Sequence, residues 1–160
     1  MTVSLLVGTF RTLAHFTESP AAILSAMNHR MLGRSQGGFT TCLVLRLDGG
    51  GTLTMANAGH LPPYLDGIEV PTANGLPLGL IAEAEYAETT VELTGQGRLT
   101  LLTDGVVEAR NARGELMGFE RARELSLERA ERIADAAQEF GQEDDITVLS
   151  LYPVAAAVPA

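Results

Sequence analysis

Three short stretches of the 160-residue chain hold side chains that could do chemistry. "LLTDGVVEAR" ends an apolar run with Asp104-Gly105, and Glu108 follows. "QEDDITVLSLY" sets Glu143, Asp144 and Asp145 ahead of another apolar run. "ANAGH" places His60 at the end of a third. Asp-Gly is a common turn dipeptide, and acids before a strand can simply be solvated. Asp104 therefore either starts a turn or holds something positively charged. If the first two apolar runs are neighbouring strands of one sheet, their acids converge at one rim. Carboxylates gathered there repel, and a divalent cation held by oxygen ligands relieves the repulsion. Successive strand residues point to opposite faces, so one of Asp144 and Asp145 would bind and the other would support it.

Other chemistries find less support. The loop after Asp104 lacks the alternating oxygen ligands of an EF-hand. His60, alone beside a hairpin end, reads as a structural hydrogen bonder. His15 and His29 fall on predicted helices without partners at ligand spacing. There is no Gly-x-Ser-x-Gly elbow and no Gly-rich phosphate loop.

The elements that must position these residues can be read from periodicity. Val3, Leu6, Val7, Phe10, Leu13 and Ala14 recur at helical spacing, so a first helix begins near the start with no cap before it. Ser19-Pro20 is a second helix start, with Ser19 as N-cap, a buried stripe of Ile23, Met27 and Met31, and Gly33 as a stop. "FTTCLVLRLDGGGTLTMANAGH" reads as a hairpin turning at Asp48-Gly49-Gly50-Gly51, with Phe39, Leu43, Leu45 and Leu47 on one face and Cys42 and Val44 on the other. Apolar residues on both faces call for a sheet covered on each side. "LPPYL" reads as an edge segment, "NGLPLGL" as a loop, and "YAETTVEL" with "GRLTLLTD" as a further hairpin. Residues 118–139 have helical composition, "DDITVLSLY" is a last strand, and the tail 153–160 is expected to fray.

Composition narrows the classes. One domain is the expectation at this length. The formal charge is −9, and all eleven basic residues are arginine. Such a field opposes nucleic acid, and it would repel a phosphorylated substrate unless cations or local arginines reversed it. Cys42 is the single cysteine, which excludes an internal disulfide and a Cys-based zinc site and reads as a small buried hydrophobe. The N-terminal stretch lacks the basic lead of a signal peptide, and no run reaches membrane-span length. The expected location is the cytoplasm.

Taken together and in order, "FTTCLVLRLD", "TLTMANAGHLPPYL", "GLPLGL", "LTLLTDGVVEARNARGELMGFE" and "QEDDITVLSL" resemble the C-terminal two thirds of a SpoIIE-type phosphatase domain, the bacterial branch of the metal-dependent type 2C protein phosphatases. The resemblance implies an α+β fold: a partial α/β/β/α sandwich of mainly antiparallel sheets flanked by helices, over residues 1–152. It also implies two Mn²⁺ or Mg²⁺ ions whose shared water attacks phosphoserine or phosphothreonine in a regulatory protein, of the anti-sigma factor antagonist type. By the same carry-over Asp104 and Asp144 are metal ligands, with Gly105 and Asp145 in support. The family's Gly-Asp turn and its Asp-x-x-Gly-His-Gly turn do not occur here, so the expectation is an N-terminally truncated domain with an incomplete metal centre. An upstream sensor domain, or self-association, would accompany it. The competing expectation is a catalytically inactive module that binds a regulatory partner.

Overall fold

In a computed structural model, residues 2–33 and 38–153 are described. The tail expected to fray lies, from residue 154 on, outside the described residues. Two compact units emerge, Met1–His60 with Pro71–Glu92, and Leu61–Val70 with Leu93–Ala160.

The first unit carries helices α1 (Thr2–Leu13) and α2 (Pro20–Met31) and strands β1 (Cys42–Leu47), β2 (Thr52–Ala58), β5 (Asn74–Gly75) and β6 (Glu88–Glu92). α2 starts as its sequence dictates: the Ser19 hydroxyl accepts the Ala22 amide at 3.1 Å, and Pro20 occupies the first turn, where no N–H is needed. Ile23, Met27 and Met31 are buried as expected, and Leu24 joins them. α1 turns differently from its apolar periodicity. Leu5, Leu6 and Leu13 pack on the core while Val7 and Phe10 are exposed, and His15 lies in the turn beyond the helix.

β2 is the centre of the first sheet. β1 pairs antiparallel along one edge, and on the other β6 pairs antiparallel with 52–56 and β5 parallel with 57–58. The β1–β2 hairpin forms at Asp48, whose carboxylate accepts the amides of Gly50 and Thr52, both at 2.9 Å. Those bonds, Thr52 first, hold its pKa below the usual carboxylate range. Burial on both faces holds for β2, where Leu53 and Met55 are buried on one side and Ala56 and Ala58 on the other. It fails at the ends of β1: Leu47 is exposed, and Phe39, ahead of the strand, is 60% exposed. Cys42 and Val44 pack with α2, and burial pushes the Cys42 thiol up to about 11.

The loop "NGLPLGL" is a built element of this unit. Leu78 is fully buried and exchanges backbone hydrogen bonds with Thr40 at 3.1 and 2.8 Å. Asn28, 1% exposed, donates to the Ile81 carbonyl and accepts the Gly79 amide, both at 2.8 Å. One buried amide side chain thus satisfies two loop groups that would otherwise be desolvated without partners.

The second unit holds β3 (Tyr64–Leu65), β4 (Ile68–Glu69), β7 (Leu99–Leu102), α3 (Asp104–Val107), α4 (Gly118–Leu125), α5 (Ala130–Gly141) and β8 (Val148–Leu151). Its sheet runs β4-β3-β7-β8, antiparallel throughout. "LPPYL" is therefore not an edge segment: the prolines precede the strand, and Tyr64 sits inside the sheet between β4 and β7. An Asp66-Gly67 turn with φ of 50° and 78° makes the β3–β4 hairpin, positive at both central residues as a type I′ turn requires.

The second expected hairpin is also corrected. β6 pairs with β2 in the first unit, and β7 pairs with β3 and β8 in the second. The turn at 94–97 closes locally, Gly97 donating to the Thr94 carbonyl at 3.1 Å, without bringing the two strands together. Burial explains the separation. β6 alternates between exposed and half-buried residues, as one solvated face requires, whereas consecutive residues of β7 are buried, so both of its faces are covered.

Two measurements test this packing. Asn28→Ala leaves a buried N–H and C=O unpaired and is expected to cost about 1–3 kcal/mol in chemical denaturation. Cys42, neutral until about pH 11, should alkylate at pH 8 roughly a hundredfold more slowly than an unhindered thiol, since only the thiolate reacts.

Candidate active site

Pairing of β7 with β8 creates the neighbourhood of the acids. The register runs Leu99↔Leu151 to Leu102↔Val148 and then continues past both strand ends. Thr103 donates its amide to the Thr147 carbonyl at 3.1 Å, and the Thr147 amide returns to the Thr103 hydroxyl at 2.9 Å. The apolar run thus stops before Asp104, which opens the single turn of α3. Residues 144–147 precede β8 as irregular chain, where a strand from Asp144 was expected.

Gly105 decides how closely the two segments approach. A Cβ there would collide with the Asp145 carbonyl oxygen, and would lie 2.9 Å from the Asp145 carbonyl carbon and 3.4 Å from the Asp144 oxygen. The backbone of 144–145 therefore crosses directly over Gly105, and Asp104 and Asp144 stand on touching segments. Only a residue without a side chain permits this approach.

The donor chemistry of the two acids is alike. Asp104 Oδ1 accepts the Gly105 amide at 3.1 Å, and Asp144 Oδ1 accepts the Asp145 amide at 2.7 Å. Both residues are exposed. The second carboxylate oxygen of each accepts no hydrogen bond among the described residues, so each keeps an oxygen for a hard divalent cation. The fit to Mn²⁺ or Mg²⁺ is thus chemically sound and numerically short: among the described residues no group of three or more His, Cys, Asp or Glu is placed to hold an ion. Glu143 is engaged elsewhere, 3.4 Å from the Arg110 guanidinium. Asp145 contributes its backbone, the carbonyl over Gly105 and the amide to Asp144.

His60 belongs to the first unit, at a turn organised by Asn57. This side chain, 1% exposed, accepts the His60 amide at 2.8 Å and donates to the His60 carbonyl at 2.9 Å and the Thr72 hydroxyl at 3.0 Å. In "ANAGH" the Asn57 side chain ties the turn together through these three bonds. Sequence reasoning passed over it, although Asn-x-Gly beside a strand end is a turn signal. Gly141 was also missed, although a glycine closing a helical run is a stop signal; its φ is 132°, and a Cβ there would collide with the Arg110 carbonyl oxygen.

These two units carry the mixed, antiparallel-rich α+β fold of the type 2C phosphatases, and solved structures agree. The SiaA-PP2C domain of Pseudomonas aeruginosa matches with a TM-score of 0.75 at 24% identity, over 96% of this chain and 68% of that one. The RsbU and RsbW domains of Rv1364c from Mycobacterium tuberculosis match at 0.70 and 23%, over 93% of this chain and 46% of that one. The phosphatase domain of the cell fate determinant SpoIIE from Bacillus subtilis matches at 0.60 and 15%, over 100% and 77%. This chain thus spans less than half of the Mycobacterium chain. At such identities the likeness is one of fold. The family rests on the sequence itself: residues 1–152 match stage II sporulation protein E (SpoIIE), and the chain belongs to that family. A search of the curated proteins finds no match.

Gly105→Ala tests the crossing. The added methyl must push the 144–145 backbone away, with an expected loss of about 1–3 kcal/mol in unfolding free energy and changed amide shifts at Asp145 and Thr147.

Proposed function

We propose that this domain hydrolyses phosphoserine or phosphothreonine in a regulatory protein of bacterial signalling, with Mn²⁺ or Mg²⁺ as cofactor. The observation that carries the reading is the backbone crossing at Gly105, which sets Asp104 and Asp144 on adjoining segments of a phosphatase-family fold. Asp104 and Asp144 would hold the cation through their free oxygens. Gly105 keeps the segments in contact, and Asp145 steadies Asp144 through its amide. When bound, the cation supplies a water of lowered pKa and Lewis-acid stabilisation of the phosphoryl oxygens. It also offsets a net charge of −9 that would otherwise repel a phosphoprotein. The anti-sigma antagonist class of substrate, a cytoplasmic location, an upstream sensor domain and self-association belong to the same reading by family resemblance. No helix among the described residues is long and apolar enough to cross a membrane.

One observation favours a second reading, an inactive module that binds a regulatory partner: the described residues include no third acid or histidine placed to complete an ion site. Two carboxylates hold a divalent cation weakly, so turnover by this chain should be low.

Phosphoserine-peptide hydrolysis with and without Mn²⁺ separates the readings. The phosphatase reading expects slow, Mn²⁺-dependent turnover that Asp104→Asn and Asp144→Asn each lower by roughly 10²-fold, the scale of losing transition-state charge stabilisation. Turnover unaffected by Asp104→Asn would show the site to be misassigned. No turnover at any Mn²⁺ concentration would favour the binding module.

A further inference from the structure

β8 ends the sheet β4-β3-β7-β8, so only one of its edges is paired. The Thr103 amide bonds to the Thr147 carbonyl at 3.1 Å, and the register sets Leu101 opposite Leu149 and Leu99 opposite Leu151. Bonding residues alternate along an antiparallel ladder, so Leu149 and Leu151 spend their main-chain groups on β7. Val148 and Ser150, followed by Tyr152, turn theirs to the open edge. A cavity of about 1050 Å³ lies against this edge, lined by Leu149, Ser150 and Tyr152 and by Arg98, Arg129 and Glu131. A row of unpaired N–H and C=O groups beside open space is a template for another strand. The opposite edge of the sheet, β4, is only two residues long and carries Glu69, which blunts it. We propose that the β8 edge pairs with the β8 edge of a second copy of this chain, antiparallel and centred on Ser150, an inference independent of the phosphatase reading.

The occupant follows from the strand itself. Residues 146–153, "ITVLSLYP", carry no charge, so two copies of a chain with net charge −9 can approach here without facing like charges on the strand. Arg98 and Arg129 against Glu131 leave no excess of negative charge around the cavity. The pattern is also symmetric about Ser150, with Leu149 and Leu151 on either side and Val148 and Tyr152 beyond. Turned over onto itself, the strand sets Leu149 opposite Leu151 and Val148 opposite Tyr152, each twice, and Ser150 opposite its counterpart. Residues directly opposite share a face, so Leu149, 50% exposed, and Tyr152, 64% exposed, each gain an apolar neighbour. The Ser150 hydroxyl is buried and has no hydrogen-bond partner among the described residues. On the two-fold axis a turn about χ1 brings it to its counterpart and relieves that cost. Centring the pair on Val148 instead sets Leu149 opposite Thr147, and centring it on Tyr152 sets Leu151 opposite Pro153, so the leucine contacts select the Ser150 register. Five paired residues make a small interface, and the dimer should dissociate at roughly 10–100 µM.

Sedimentation and amide hydrogen exchange of the whole chain over a concentration series test the pairing. A monomer–dimer equilibrium is expected, with the Val148 and Ser150 amides gaining protection as concentration rises. The Leu149 and Leu151 amides, already bonded to β7, should be protected throughout. Leu149→Lys, at an exposed position, should raise the dissociation constant roughly tenfold through its two cross-strand contacts, with the unfolding midpoint near wild type. Ser150→Pro removes an N–H that faces the open edge, so it should abolish the dimer and spare the β7 ladder. If that variant fails to fold, Leu149→Lys and the amide pattern still decide. A monomer at every concentration up to about 1 mM, well above the expected dissociation constant, would overturn the proposal. So would a dimer in which the Val148 and Ser150 amides exchange freely, since another surface would then be holding it. Protection of those two amides already in the dilute monomer would also overturn it, by showing the edge covered within one chain.

Discussion

The acid-bearing part of the molecule depends on two pieces of backbone touching where a side chain would ordinarily keep them apart. Gly105 lies beneath the Asp145 carbonyl, and the crossing follows from the β7–β8 ladder continuing through Thr103 and Thr147. Antiparallel pairing delivers the two segments to one sheet end, and the missing Cβ lets them close the last few ångströms. Without the ladder the glycine would be an ordinary turn residue. Without the glycine the ladder would end in two acids on separated loops.

A similar economy operates in the first unit, with amide side chains in place of glycine. Asn28 and Asn57 are each about 1% exposed, and each ties a loop to a helix or strand through hydrogen bonds at both ends of its amide. A buried amide with unmatched partners would destabilise the unit, so each asparagine commits its loop to one conformation. That commitment holds "GLPLGL" and the Gly59-His60 turn that follows β2 in place although neither is a helix or a long strand. The exposed leucines of the first loop, Leu76 and Leu80, flank the fully buried Leu78.

Electrostatics divides the acids by their neighbours. Asp48 spends its carboxylate on turn amides, Glu143 on Arg110, and Glu88 on the Ser19 hydroxyl and the Ala21 amide at the start of α2. Asp104 and Asp144 each spend one oxygen on the amide that follows and keep the other open. Composition alone does not reveal these different engagements among the chain's twenty acidic residues.

Local rules determined what is local. The Ser19-Pro20 helix start, the Asp48 turn and the buried methionine stripe follow from capping, turn chemistry and periodicity, which act over a few residues and need no partner. The ordered motifs around Asp104 and Asp144 were likewise legible, because a family's chemistry is written in residue types. Partner choice was not. The 94–97 turn has hairpin composition, yet β6 pairs with β2 and β7 with β8, since strand pairing is settled by which edges and faces remain to be covered across the whole unit. Tertiary structure alone also brought Gly141 against Arg110 and gave Arg110 its ion-pair partner: a close approach between residues more than thirty positions apart leaves no trace in the spacing of either.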